Sequence, residues 1–156
     1  MPVTSVRDDV GSAAPRPGND TVAVWQAGTA FKMTAGSGHS FVMDGDARIA
    51  QSPMEVVAGA LAGCIGADVI SIMRKKRQAV TALEVRVHGH RQAEHPRVFT
   101  ELQLTFLVTG RGVDPEAVRR SIELAEQKYC PVTAMLSRTA RIRVGFEIRE
   151  AETVTA

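Results

Sequence analysis

Cys64 and Cys130 stand out as the side chains whose type and setting point to nucleophilic or redox chemistry. A cysteine reacts as its thiolate, so what matters is whether neighbouring groups favour the anion. Cys130 directly precedes Pro131, at or near the N-cap of a short helix, where the positive end of the helix favours negative charge. Cys64 lies in the middle of a long apolar stretch and has no such advantage. Asp68 follows four residues later, one turn on along the same helical face. A lone carboxylate there raises the thiol pKa, whereas a basic side chain paired with Asp68 would favour the thiolate. Taken singly, each cysteine also reads as an inert core residue.

The element that must position Cys64 is the stretch Ser52 to Arg77. Ser52 serves as an N-cap, Pro53 fits the first helical position, and Glu55 completes a capping box. Arg74, Lys75, Lys76 and Arg77 close the segment with charge suited to a helix C-terminus. Between Glu55 and Arg74 only Asp68 and Ser71 are polar, and a helix apolar all round is a buried helix. Gly59, Gly63 and Gly66 weaken such a helix in isolation. Their return is close approach by another backbone, from this chain or from a second copy.

The remaining elements follow from periodicity. Residues 1–20 mix proline, glycine and charge without an apolar period and read as a disordered tail. Residues 21–46 hold three short β-prone runs broken by glycines and by Asp44-Gly45, an antiparallel meander. Leu83, Val85 and Val87, then Leu102, Leu104, Phe106 and Val108, alternate with polar residues, which predicts a hairpin over 81–109. Asp114-Pro115-Glu116 starts a second helical region, 114–137, which Cys130-Pro131 interrupts. Ile142, Val144, Phe146 and Ile148 alternate through a last strand, 139–150. The pattern predicts an α+β fold over 21–150 as a single domain, with helices packed on antiparallel sheets.

Composition narrows the class. A chain of 156 residues with 44% hydrophobic and 23% charged residues is long enough for a core without disulfide staples. The absence of 18 consecutive apolar residues argues against a membrane span, and the first residues lack a signal-peptide core. Two widely separated cysteines then read as reduced thiols in a cytoplasmic protein. A net charge of +2 singles out no partner. Arg74 to Arg77 reads as a complement to a helix end rather than as a nucleic-acid contact. His88 and His90 share a strand face and, with His95, have metal-binding spacing; with no fourth ligand evident, an exposed hairpin edge is the simpler reading. Gly36-Ser37-Gly38 lacks the lysine and helix of a phosphate loop and reads as a turn. No metal site and no bound cofactor are expected.

Two motifs carry a resemblance. Ser52-Pro53-Met54-Glu55 through Ala62-Gly63-Cys64, followed by Asp68-Val69-Ile70-Ser71-Ile72 and the basic cluster, closely resembles the first cysteine helix of the OsmC/Ohr family. Lys128-Tyr129-Cys130-Pro131-Val132 resembles that family's second cysteine motif, and the element order of residues 21–149 fits. The resemblance implies an interwoven homodimer with antiparallel sheets wrapped around two central helices and with sites at the subunit interface. It further implies a stress-protective peroxidase acting on organic hydroperoxides. Cys64 would attack the peroxide and become a sulfenic acid, and Cys130 would resolve it as a disulfide. An external dithiol would reduce that disulfide.

The chain departs from the organic-hydroperoxidase pattern in two places. That subgroup carries an arginine in its N-terminal strands, whereas residues 21–46 contain none; Arg48 is the nearest upstream substitute. It also carries a glutamate directly after the helix-start proline, where this chain has Met54, with Glu55 one place later. Nine residues turn an ideal helix by about 180° net, so Glu55 and Cys64 diverge on a straight helix. Glu55 therefore reads equally as capping residue and as catalytic group. A non-catalytic dimer that binds an apolar ligand in the interfacial pocket is the second functional reading.

Overall fold

The turn signals at Gly28, Gly38 and Asp44-Gly45 separate the first strands of the computed structural model, which describes residues 20–152. The tail expected over residues 1–20 falls, apart from Asp20, outside the described residues. Strands β1 (Thr21–Ala27), β2 (Ala30–Ala35) and β3 (Ser40–Asp44) form an antiparallel sheet in the order β1-β2-β3. Gly28 and Gly38 take φ of +54° and +86°, the left-handed region that the two hairpin turns require.

Contacts divide the chain between residues 53 and 54 into two compact units. Strand pairing between sequence neighbours holds the first unit. Among its described apolar side chains Val22, Val24, Trp25, Phe31, Phe41 and Val42 are exposed, and Ala30 is the one that is fully buried. What it does bury is the Asp44 carboxylate. Thr29 Oγ1 donates to Oδ1 at 2.7 Å and the Asp46 N–H does so at 3.1 Å. The N–H groups of Arg48 and Ile49 donate to Oδ2 at 2.9 and 3.1 Å. These bonds, led by the Thr29 hydroxyl, hold the Asp44 carboxyl at a pKa of about 2.

The second unit begins with the long helix α1 (Pro53–Lys75). Strands β4 (Ala79–Arg91) and β5 (Phe99–Arg111) pair as an antiparallel hairpin, with Leu83 opposite Val108, Val85 opposite Phe106 and Val87 opposite Leu104. Helix α2 (Pro115–Leu124) starts as the sequence predicts, with the Asp114 side chain accepting the Glu116 N–H and Pro115 in the first turn. A π-helical turn (Ala125–Tyr129) and the short helix α3 (Pro131–Leu136) lead to β6 (Arg141–Glu150).

The sheet order is β4-β5-β6, and β6 runs parallel to β5, from Glu101 opposite Arg141 to Gly110 opposite Glu150. This corrects the expectation of purely antiparallel sheets. A parallel neighbour needs a long crossover connection, and the helical segment between β5 and β6 supplies one.

The core of this unit joins Leu61, Ile65, Val69 and Met73 of α1 to Leu102, Leu104, Phe106 and Val108 of β5 and to Val118 and Ile122 of α2. Truncating any one of the fully buried leucines to alanine costs about 2–5 kcal/mol. Helix α1 is therefore buried along one stripe and not all round, as its composition suggests. Its other face, with Gly59, Ala60, Gly63 and Ala67, is exposed. By length and composition α1 is apolar enough to cross a membrane, although Asp68 breaks its apolar run. The stripe packed into the core is the mark of a core helix.

Candidate functional site

The sequence Tyr129-Cys130-Pro131 fixes the local geometry of the site. Cys130 is the N-cap of α3, in extended conformation, and Pro131 occupies the first helical position. Proline has no N–H, so the first free backbone donors of this helix belong to Val132 and Thr133. Both meet sulfur. The Thr133 N–H donates to Cys130 Sγ at 3.4 Å, and the Val132 N–H bonds to the Cys64 side chain. Neither donor was singled out in the sequence, although the Cys-Pro pair contains the signal: a proline after the cap assigns the next two N–H groups to whatever side chains lie there.

The π-helical turn just before Cys130 has no sequence signature that we can identify. Its wider bond, from the Cys130 N–H to the Ala125 carbonyl at 2.8 Å, ends the preceding helix at the cysteine. Such turns are frequent at functional sites.

Cys64 occupies the middle of α1 and Asp68 the next turn on the same face. The sulfurs of Cys64 and Cys130 and a carboxylate oxygen of Asp68 all lie within 4.8 Å of one another. Cys130 is buried, and Cys64 and Asp68 are half-buried. Residues distant in sequence thus converge on one point, and both cysteines are free thiols. Burial pushes the Cys64 thiol above its usual range, and its hydrogen bond with Cys130 pushes the same way. The negative charge of Cys130 and, most weakly, of Asp68 adds to this, while the Val132 N–H alone works in the opposite direction. Among the described residues no lysine or arginine forms an ion pair with Asp68. The lone-carboxylate case set out from the sequence is the one that holds.

Glu55 lies in the first turn of α1, exposed. Nine residues of helix separate it from Cys64 by about 13 Å along the axis, and it is not part of the sulfur–carboxylate cluster. Arg48 belongs to the other unit, where its side chain is exposed and its N–H is held by Asp44. His88 and His90 are exposed and meet edge to face at 4.7 Å. Among the described residues they join no cluster of three metal-ligating groups.

The exposed face of α1 borders a groove of about 540 Å³, closed on its other side by β4. Gly63, Gly66, Ala67 and Ile70 line it from the helix, and Val80, Leu83 and Val85 from the strand. A side chain at Gly66 would press against Val85 Cγ2 at 3.2 Å, whereas one at Gly59 or Gly63 would meet nothing within 4 Å.

Known proteins are similar to this chain in sequence and fold. The chain is 42% identical over 125 residues to Protein YhfA of Escherichia coli (strain K12), covering 80% of this chain and 93% of that protein. A hypothetical protein from Aquifex aeolicus VF5 superposes with a TM-score of 0.79 at 23% identity, over 86% of this chain and 98% of that one. The organic hydroperoxide resistance protein OhrB of Bacillus subtilis shares the fold more distantly, with a TM-score of 0.56 at 16% identity, over 82% and 98% of the two chains. Residues 44–145, a span that holds both cysteines, match the OsmC-like protein family, and the chain belongs to that family.

Proposed function

We propose that this protein is a thiol-dependent peroxidase that reduces organic hydroperoxides and protects the cytoplasm against them. The observation that carries the reading is the convergence of the Cys64 and Cys130 sulfurs within 4.8 Å, each with a backbone N–H from the start of α3. Structural neighbours named for organic hydroperoxide resistance support it by fold alone.

The Cys64 thiolate attacks the distal oxygen of ROOH, the O–O bond breaks, and the alkoxide leaves as ROH after taking a proton. Cys64 is then a sulfenic acid. The Cys130 sulfur attacks that sulfur and displaces water, giving the Cys64–Cys130 disulfide. A dithiol supplied from outside reduces the disulfide by exchange and is itself oxidised. The sulfurs need close by less than 3 Å to reach the bond length of about 2.05 Å, a distance within reach of side-chain rotation at the end of a short helix.

The reading includes a homodimer in which the exposed face of α1 meets a second copy. Gly59 and Gly63 have no neighbour among the described residues that requires a glycine. Close approach by another helix gives them one. Trp25, Phe31 and Phe41, exposed on one face of the first sheet, support the same conclusion, since apolar surface left on one face marks an interaction site.

The raised Cys64 thiol favours a second reading, a non-catalytic dimer that binds an apolar ligand in the groove beside α1. A peroxide-consumption assay separates the two. With cumene hydroperoxide and excess dithiol, the parent protein turns over and Cys64→Ser falls to the rate of buffer. A Cys64→Ser protein as active as its parent would overturn the peroxidase reading.

A further inference from the structure

The cluster at Cys64, Asp68 and Cys130 contains three good ligands and, among the described residues, no ion-paired cation. Two are sulfurs from different elements, α1 and the cap of α3, and the third is a carboxylate one turn from the first. Each offers one donor atom, and the three donors lie within 4.8 Å of one another. Around a tetrahedral zinc ion, with bonds of about 2.3 Å to sulfur and about 2.0 Å to oxygen, two sulfurs and an oxygen sit roughly 3.5–3.8 Å apart. Side-chain rotation of about an ångström closes the difference.

The geometry points to a binding site for a thiophilic divalent cation, zinc first, held by Cys64 Sγ, Cys130 Sγ and Asp68. The donor set selects the metal. Thiolate sulfur disfavours magnesium and calcium, and two sulfurs with one oxygen suit the borderline-soft zinc or the softer cadmium. Three protein ligands leave one tetrahedral position open, for water or an exogenous thiol. Binding displaces the two thiol protons as each sulfur becomes a thiolate. Metal and peroxide would then compete for the same sulfurs, so the cation acts as a reversible block on thiol oxidation. The site does not require that the peroxidase reading hold.

Titration of the reduced full-length protein with cadmium alone tests this. We expect one equivalent per chain, with an ultraviolet thiolate-to-cadmium charge-transfer band, and zinc displacing cadmium in competition. Cys64→Ser and Cys130→Ser should each abolish one-equivalent binding, and Asp68→Asn should weaken it by roughly tenfold or more. Absence of the band at one equivalent, or unchanged affinity in Asp68→Asn, overturns the proposal. The bound metal should also shield both thiols from cumene hydroperoxide until a chelator removes it. Thiols that oxidise with peroxide yet bind no cadmium sink the metal site and leave the peroxidase reading standing. Metal binding without peroxide consumption does the reverse.

Discussion

Two carboxylates in this chain, Asp44 and Asp68, sit in opposite surroundings. Asp44 gathers four donors, one hydroxyl and three backbone N–H groups, all supplied by its own unit. Asp68 has no hydrogen-bonded or ion-paired partner among the described residues, and instead stands beside two thiols. The first arrangement is complete and holds a loop in place. The second gathers three groups that can carry negative charge with two N–H donors between them. Functional sites are where a chain leaves such demands to be met by substrate, partner or ion.

The contrast is sharpened most by removing the second sulfur. Cys130→Ser should abolish sustained turnover with dithiol while leaving one equivalent of peroxide consumed per chain, with Cys64 trapped as a sulfenic acid by dimedone. Full turnover in that variant would mean that Cys130 is packing only. At the other carboxylate, Asp44→Ala should lower the melting temperature by several degrees at neutral pH, because the donors it leaves behind are partly buried. The pH dependence follows from the depressed pKa: the native carboxyl ionises near 2 and the unfolded one near 3.8. Its stabilisation is therefore present above pH 3.8 and lost as pH falls towards 2. The melting difference between parent and variant should shrink steadily over that window, and a difference undiminished at pH 2 would contradict the hydrogen-bond account.

The smallest effect is expected at Asp68. Burial is the main cause of the raised Cys64 thiol and Asp68 a lesser one, so Asp68→Asn should move the pH profile of Cys64 alkylation to lower pH by a modest amount. A profile that moves up, or stays fixed, would show that the carboxylate does not act on the sulfur.

Much of this was legible in the sequence. The starts of α1 and α2, the alternation of β4, β5 and β6, and the Cys-Pro break are local patterns, and local patterns survive translation into structure. The parallel pairing of β6 was not legible, because alternation fixes a strand's faces and says nothing of its direction. Nor was the half-exposure of α1: its composition suits burial on every side, and composition does not say which stripe the rest of the chain will cover. The site divides in the same way. Cys64, Asp68 and Cys130 could be named from type and spacing. The Val132 and Thr133 donors, and the satisfied Asp44, come from backbone geometry around a proline and a turn. Glu55 and Arg48 were candidates for catalysis from family pattern alone; Glu55 lies in the first turn of α1, outside the cluster, and Arg48 belongs to the first unit.

The most direct measurement is the fate of the two thiols. Reduced protein treated with one equivalent of cumene hydroperoxide should lose two thiols per chain and yield, on peptide mapping, a Cys64–Cys130 disulfide within a single chain. Two thiols still titratable, or a disulfide that joins Cys64 to anything other than Cys130, would contradict the account.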